Sequence, residues 1–280
     1  MSSAVFRFQL FRWVKYTIYA LLSLNIWFFL IEELNSARFV IESGGDVAMG
    51  IQLFSATLDT LAWVILLLLF ELETAVIPYG RLKGVLRFII HGVRMMCTLT
   101  IVMAFLGYLG EWRTLAPSEL LMGQACERVD QQWSVMIKLD DFVPLTAVNC
   151  AQLGADTRLV SGLDQVIASP EGLLEGQRLA LVDVVNSATW ILIVILLEVE
   201  VRVLTRWGRV SRPIGQIASG LKVVFYTTLV VAAVYWGFKG DFLDFWDAAL
   251  WLFAFVFIEL NVFEWQQEIS EQSAQARGAP

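Results

Sequence analysis

Acidic and amide side chains recur at one fixed spacing in three apolar segments of this chain. Each copy has an Asp or Asn, a Trp four residues later and a Glu eight residues after that Trp. The members are Asp59, Trp63 and Glu71, then Asn186, Trp190 and Glu198, then Asp247, Trp251 and Glu259. Carboxylates are costly to place in an apolar segment, so their repetition predicts a repeated architecture and favours a shared role in handling cations or protons.

The segments that carry these residues are apolar and long enough to cross a bilayer. The chain of 280 residues is 58% hydrophobic and 17% charged, with a mean hydropathy of +0.65, which excludes an ordinary soluble domain. A helix needs about 20 mainly apolar residues to cross the hydrocarbon core. Six stretches qualify: 16–32, 52–72, 88–109, 179–200, 222–238 and 245–263. The alternating pattern of a membrane β-barrel is not seen, so the sequence predicts an all-α integral membrane protein with six transmembrane helices.

The repeat extends over pairs of helices. Residues 98–112 of the third helix align with residues 228–242 of the fifth at an offset of 130. The second and fourth helices align at an offset of 127, and the fourth and sixth at 61. Each two-helix hairpin starts and ends on the same side of the membrane, so the three repeats are expected to be parallel and not inverted. The first two helices form the most diverged copy.

Basic residues predict the orientation. The N-terminal segment and the links after the second and fourth helices hold ten of the twenty Lys and Arg residues. Residues 111–178 carry ten acidic and five basic residues. The positive-inside rule then places both termini in the cytoplasm of a bacterial-type inner membrane.

Four regions follow from this topology. They are an N-terminal membrane part (1–109), an extracytoplasmic loop region (110–178), a C-terminal membrane part (179–265) and a cytoplasmic tail (266–280). In the loop region, residues 133–139 and 142–148 favour strands around an Asp-Asp turn, and residues 157–168 favour a short helix. This region is small and has few large apolar side chains, so we expect it to pack on the helices instead of folding alone.

The three cysteines divide into two groups. Cys126 and Cys150 fall in the outer loop, where an oxidising compartment favours a disulfide between them, with two free thiols as the alternative. Cys97 lies inside the third helix and is interpreted as a packing residue.

The acidic residues at the cytoplasmic ends of the even helices allow two interpretations. In the functional one, Glu71, Glu198 and Glu259 form a carboxylate ring at a vestibule, and the polar residues nearer the outer side, Asp59, Asn186 and Asp247, are further ion-handling candidates. In the structural one, acidic residues pair with bases on the next helix and fix its register. Antiparallel hairpins place Glu73 level with His91 and Arg94, and Glu200 level with Lys222.

Other chemistries have no motif here. A single histidine, His91, excludes bis-histidine haem ligation and His-rich metal sites within one chain. No phosphate-binding glycine loop, paired-cysteine motif or nucleophile–base set is present, so we expect no catalytic residues, metal or cofactor, and no enzyme activity. The net charge of −7 without a basic soluble surface argues against nucleic-acid binding.

The favoured hypothesis is therefore a channel or transporter for cations or protons. The alternative is a non-catalytic membrane scaffold or assembly subunit that binds partners through its outer loop and helix surfaces, and a lipid- or isoprenoid-handling protein is a weaker third. The expected partners are the lipid bilayer, a cation or proton, and either further copies of the chain or another membrane protein.

The charge bias generates a test of topology. Single cysteines in residues 33–50 and 111–178 should react with a membrane-impermeant maleimide in intact cells. Cysteines in residues 205–218 should react only after permeabilisation, because the basic links remain inside. Labelling of 205–218 in sealed cells would reject this orientation.

Overall fold

The computed structural model describes residues 3–42, 54–73, 85–115, 118–129, 131–161, 163, 165–207, 212–239 and 242–257. Long helices and one small β-domain make up this part of the chain. The helices are α1 (Ser3–Glu42), α2 (Ser55–Glu71), α3 (Val85–Leu115), α4 (Ala147–Cys150), α5 (Pro170–Trp207), α6 (Arg212–Lys239) and α7 (242–257). The chain divides into a central unit, residues 26–228, and a terminal unit, residues 1–25 with 229–280.

Four of the described helices are long and apolar enough to cross a membrane. The candidate spans are Arg12–Ala37, Phe88–Leu115, Pro170–Glu200 and Ile214–Lys239. Large apolar side chains remain exposed along all four, as expected for surfaces that contact lipid. These spans support a membrane location and a helical membrane part, whereas six crossings and three repeats stay predictions.

The helices run further than their apolar segments predict. Helix α1 passes through Glu32 and Glu33, where the sequence predicts its end, and continues to Glu42. Helix α5 begins at Pro170 instead of near residue 179. There the Ser169 Oγ accepts a hydrogen bond of 3.0 Å from the Gly172 N–H, and proline occupies the first helical position. Outside the hydrocarbon core, caps and packing set the helix ends, so hydropathy places them wrongly.

A five-stranded sheet forms the core of a small domain between α3 and α5. We call residues 118–168 the outer domain, after the side of the membrane that the sequence predicts for them. Its strands are β1 (Ser118–Leu120), β2 (Ser134–Lys138), β3 (Asp141–Pro144), β4 (Arg158–Val160) and β5 (Val166–Ala168). The order across the sheet is β1-β4-β5-β2-β3. Strands β2 and β5 are parallel, and the other neighbours are antiparallel. The predicted all-α class therefore holds for the membrane part and misses this domain.

The two secondary-structure predictions for the outer domain have opposite outcomes. The predicted hairpin is confirmed as β2 and β3, with Asp140 in the left-handed region at φ 60°, a conformation that Asp tolerates in turns. The predicted helix over 157–168 is wrong, because this segment forms β4 and β5. The fully buried Val166 and Ile167 lie in the middle of the sheet, where β-branched side chains pack well.

One face of the sheet shares its core with the ends of two membrane helices. The residues of this shared core are Leu115, Met136, Val160, Val166, Ala168, Leu173 and Ala180. Two glycines let α5 approach β2 closely. A Cβ at Gly172 would lie 3.1 Å from the Ile137 carbonyl oxygen, and one at Gly176 would lie 3.2 Å from the Met136 Cε. The sheet therefore packs directly against α5.

The opposite face of the sheet carries the disulfide. The bond joins Cys126, in a short 3-10 helix (Ala125–Arg128), to Cys150 at the end of α4, with a sequence separation of 24. Cys150 packs with Val135 and Ile167 in a second apolar cluster. The predicted disulfide is confirmed, and Cys97 is a buried free thiol.

Two glycine substitutions test the close packing of α5 against β2. We expect Gly172→Ala to lower the free energy of unfolding by about 1 kcal/mol or more, because the new methyl group must displace β2 or α5. Gly92→Ala on α3 should be neutral or stabilising by up to about 1 kcal/mol, since nothing lies within 4 Å of the added Cβ. Thermal unfolding in detergent measures both, and equal stabilities of the two variants would contradict the close contact.

Candidate functional site

Two ion pairs link neighbouring helices in the central unit. The Arg94 Nη2 lies 2.5 Å from the Glu73 Oε2, and the Lys222 Nζ lies 2.8 Å from the Glu200 Oε2. The acidic members stand at the repeat offset of 127 and the basic members at 128. All four side chains are partly exposed, so each pair adds about 1 kcal/mol or less to stability. Their main effect is to set the register of one helix against the next.

Two of the three acids of the predicted vestibule ring lie in the described part of the chain, and they differ in burial. Glu71, at the end of α2, is 6% exposed. Glu198 lies on the exposed surface of α5, and Glu259 falls outside the described residues. The carboxylate ring of Glu71, Glu198 and Glu259 therefore stays a prediction. His91, a predicted pairing residue, lies exposed on α3.

In the terminal unit, Asp247 is held by two hydrogen bonds. The Asn25 Nδ2 of α1 donates to the Asp247 Oδ1 at 2.7 Å, and Asn25 itself is 1% exposed. The Trp251 indole, one helical turn further along α7, also donates to this carboxylate. The Asp-x3-Trp spacing thus serves a local hydrogen bond here. The arrangement satisfies buried polar groups and joins α1 to α7.

The equivalent positions in the other two copies are partly buried. Asp59 lies on α2 and Asn186 on α5. The Asn186 Oδ1 and the adjacent Ser187 Oγ are buried and accept or donate no hydrogen bond among the described residues. Trp190 is buried, as expected for a packing residue. The outer-side polar positions therefore differ in their surroundings from copy to copy.

A further group of carboxylates lies where the membrane helices meet the outer domain. Glu111 on α3 is close enough to Glu33 on α1, Asp140 in the β2–β3 turn and Asp183 on α5 for like-charge repulsion. The described residues include no group of three His, Cys, Asp or Glu side chains with the geometry to hold a metal ion. The sequence analysis missed this group, although the repeat marks Glu111 within a Gly-acid-aromatic motif that recurs at 240–242.

Two members of this acidic group have structural partners. The Glu33 Oε1 accepts hydrogen bonds from the Ala56 and Thr57 N–H groups at 2.8 and 3.3 Å, and so caps the N-terminus of α2. The Ser36 Oγ donates to the Asp140 carbonyl oxygen at 2.6 Å, which ties α1 to the β2–β3 turn. Through these contacts, Glu33 and Asp140 help to hold α1, α2 and the sheet together.

Comparison of the chain with protein-family models, with curated protein sequences and with solved structures finds no match.

The Asn25–Asp247 contact can be tested by a double-mutant cycle. We expect Asn25→Ala to destabilise the protein by about 1–2 kcal/mol, because a partly buried carboxylate loses a donor. Asp247→Asn should cost less, since its amide oxygen still accepts. The cycle with Asp247→Ala should give a coupling of about 0.5–1.7 kcal/mol. Detergent unfolding measures each term, with Ser23→Ala on the same helix as the control, and zero coupling would refute the contact.

Proposed function

We propose that this chain is a membrane scaffold or assembly subunit. Its outer β-domain would bind a partner, and its repeated carboxylates would hold helices together. The observation that supports the proposal is that three of these carboxylates are bound to side chains of other residues. Glu73 and Glu200 stand in ion pairs with Arg94 and Lys222, and Asp247 accepts two hydrogen bonds.

These ion pairs and hydrogen bonds argue against a transport role for Glu73, Glu200 and Asp247. A carboxylate that relays protons or cations must exchange its counter-ion or its proton in every cycle. An arginine or lysine within 3 Å already occupies the carboxylate, so a transported cation would have to displace that side chain. The engaged residues therefore suit a permanent structural role better than a cycle of binding and release.

The outer domain supplies a surface for a partner. It is closed by the disulfide and seated on α3 and α5, so its surface is held in a fixed position. Leu120, Met122 and Val148 are exposed there, with Met122 at 88% and Val148 at 76%. Residues 111–178 hold ten acidic and five basic residues. A partner with an apolar patch edged by basic residues complements this combination.

The membrane arrangement belongs to the same proposal. The chain would form three parallel two-helix repeats, cross a bacterial-type inner membrane six times and keep both termini in the cytoplasm. The constant repeat offsets and the basic links support this arrangement. The ion pairs at equivalent positions of α2–α3 and α5–α6 are the contacts that such a repeat would conserve.

Flux measurements on purified protein in proteoliposomes test the proposal. We expect no cation or proton flux above that of protein-free vesicles. Glu73→Gln should lower the unfolding temperature, because it removes the ion pair with Arg94, whereas Glu119→Gln at an exposed position of β1 should leave it unchanged. A saturable flux that Glu71→Gln abolishes without loss of stability would contradict the scaffold proposal.

The partner surface is tested in native membranes. A photo-crosslinking residue at position 122 should give a discrete adduct with another membrane protein, and one at the exposed Asp141 on the opposite sheet edge should not. Equal adducts at both positions, or none at 122, would count against the apolar surface.

Cation or proton handling remains a second candidate, favoured by one observation. Helix α2 has the acidic group of Glu33 and Glu111 at its outer end, Asp59 along its length and the buried Glu71 at its inner end. These ionisable groups would supply successive levels of a proton path. This candidate predicts a measurable flux, and predicts that Glu259→Gln impairs it more than Glu73→Gln does.

A further inference from the structure

The exposed face of α3 ends in an arginine. Met95, Leu99, Val102 and Leu106 are exposed and lie on one side of this helix at spacings of three, four or seven residues. Arg113 follows Leu106 by seven residues, lies on the same side and is exposed. The lipid-facing stripe of α3 is therefore apolar until Arg113.

Helix α5 has the same pattern in the opposite chain direction. Its exposed apolar stripe consists of Leu174, Leu181, Val185, Leu192 and Val199. Arg178 is exposed and stands in this stripe, four residues after Leu174 and three before Leu181. In both helices one arginine projects from the lipid-facing side near the outer domain.

The two arginines lie at one level. The Gln177 Nε2 donates a hydrogen bond of 2.6 Å to the Leu115 carbonyl oxygen, which fixes α5 against α3 at that height. Arg178 follows Gln177 directly, and Arg113 precedes Leu115 by two residues. At a rise of about 1.5 Å per residue, their Cα atoms are within about 5 Å of the same level.

A second level of charge lies one hydrocarbon thickness away. Arg94 precedes Arg113 by 19 residues on α3, which is about 28 Å of helix, and Glu200 follows Arg178 by 22 residues on α5, about 33 Å. A bilayer core is about 30 Å thick. The acidic and basic residues between these levels are Glu111 and Asp183, close to the outer one, and Glu198, close to the inner one.

We propose that Arg113 and Arg178 bind phosphate groups of outer-leaflet phospholipids. Together with the Glu73–Arg94 and Glu200–Lys222 pairs, they would fix the depth of the chain in the bilayer. A guanidinium group binds phosphate with two parallel hydrogen bonds, and its aliphatic stem lies along apolar surface. Neither arginine has a hydrogen-bond or ion-pair partner within the described ranges.

Helix electrostatics does not explain both positions. Arg113, in the last turn of α3, gains from the negative end of the helix dipole. Arg178 lies more than two turns from the start of α5, where the dipole no longer acts. Binding to a lipid phosphate explains the positions of both arginines by one interaction.

The experiment compares two lipids with identical acyl chains on full-length protein in detergent. Dioleoyl phosphatidylglycerol should raise the unfolding temperature more than a phosphate-free diglucosyl diacylglycerol does. In Arg113→Gln/Arg178→Gln the difference between the lipids should fall to less than half. It should persist in the control Arg128→Gln, since that guanidinium stacks on Trp133 in the outer domain at 4.4 Å. An unchanged difference in the double variant would overturn the proposal.

A second measurement does not require removal of both charges. In nanodiscs of the same phosphatidylglycerol, with Cys97→Ala as background, nitroxide labels are placed one at a time through Met95→Cys, Met103→Cys and Arg113→Cys. Accessibility to oxygen and to a polar nickel reagent reports the depth of each label. The label at 103 should be the deepest, with those at 95 and 113 near the two phosphate planes. A deeper label at 95 or 113 would refute the two levels.

Discussion

The hydrocarbon core contains no water to pair with a polar group, and this constraint determines where polar residues stand in this chain. A polar side chain in a membrane helix either lies at a boundary or finds a neighbour within the bundle. Asn25 and Asp247 pair with each other, and Trp251 adds a second donor to the same carboxylate. Glu73 and Glu200 lie near one end of their helices and face a base on the next helix. The repeated carboxylates thus mark positions where helices are joined as well as candidate sites for ions.

The same requirement extends to the outer ends of the helices. The first N–H groups of α2 have no partner within the helix, and Glu33 of α1 supplies one. The Ser36 hydroxyl reaches the Asp140 carbonyl oxygen in the β2–β3 turn, and Gln177 reaches the last residue of α3. Each hydrogen bond connects one element to another. The bonds that satisfy single polar groups therefore also hold the helices and the sheet together. Glu111 of α3 lies in the same region, near Glu33, Asp140 and Asp183.

The sequence predicted the features that depend on composition and short spacing. Apolar stretches located the membrane helices, the Asp-Asp turn located the β2–β3 hairpin, and two outer cysteines predicted the disulfide. Predictions failed where long-range contacts decide the structure. Strands β4 and β5 are three residues each, too short for a periodic signal, and exist because the sheet buries Val160, Val166 and Ile167. The spacing of Asp247 and Trp251 is visible in the sequence, but their partner Asn25 is 222 residues from Asp247 and follows no motif.

The shared core between sheet and helices has a consequence for what counts as a domain in this protein. Strands β2, β4 and β5 pack on Leu115, Leu173 and Ala180, which belong to membrane helices. A cut at the membrane surface would therefore pass through a hydrophobic core and not between two cores. Leu115, Leu173 and Ala180 complete the core beneath the sheet, so the sheet and the two helices share one hydrophobic core. For the same reason, a change in the angle between α3 and α5 would be felt at the sheet through the residues of that shared core.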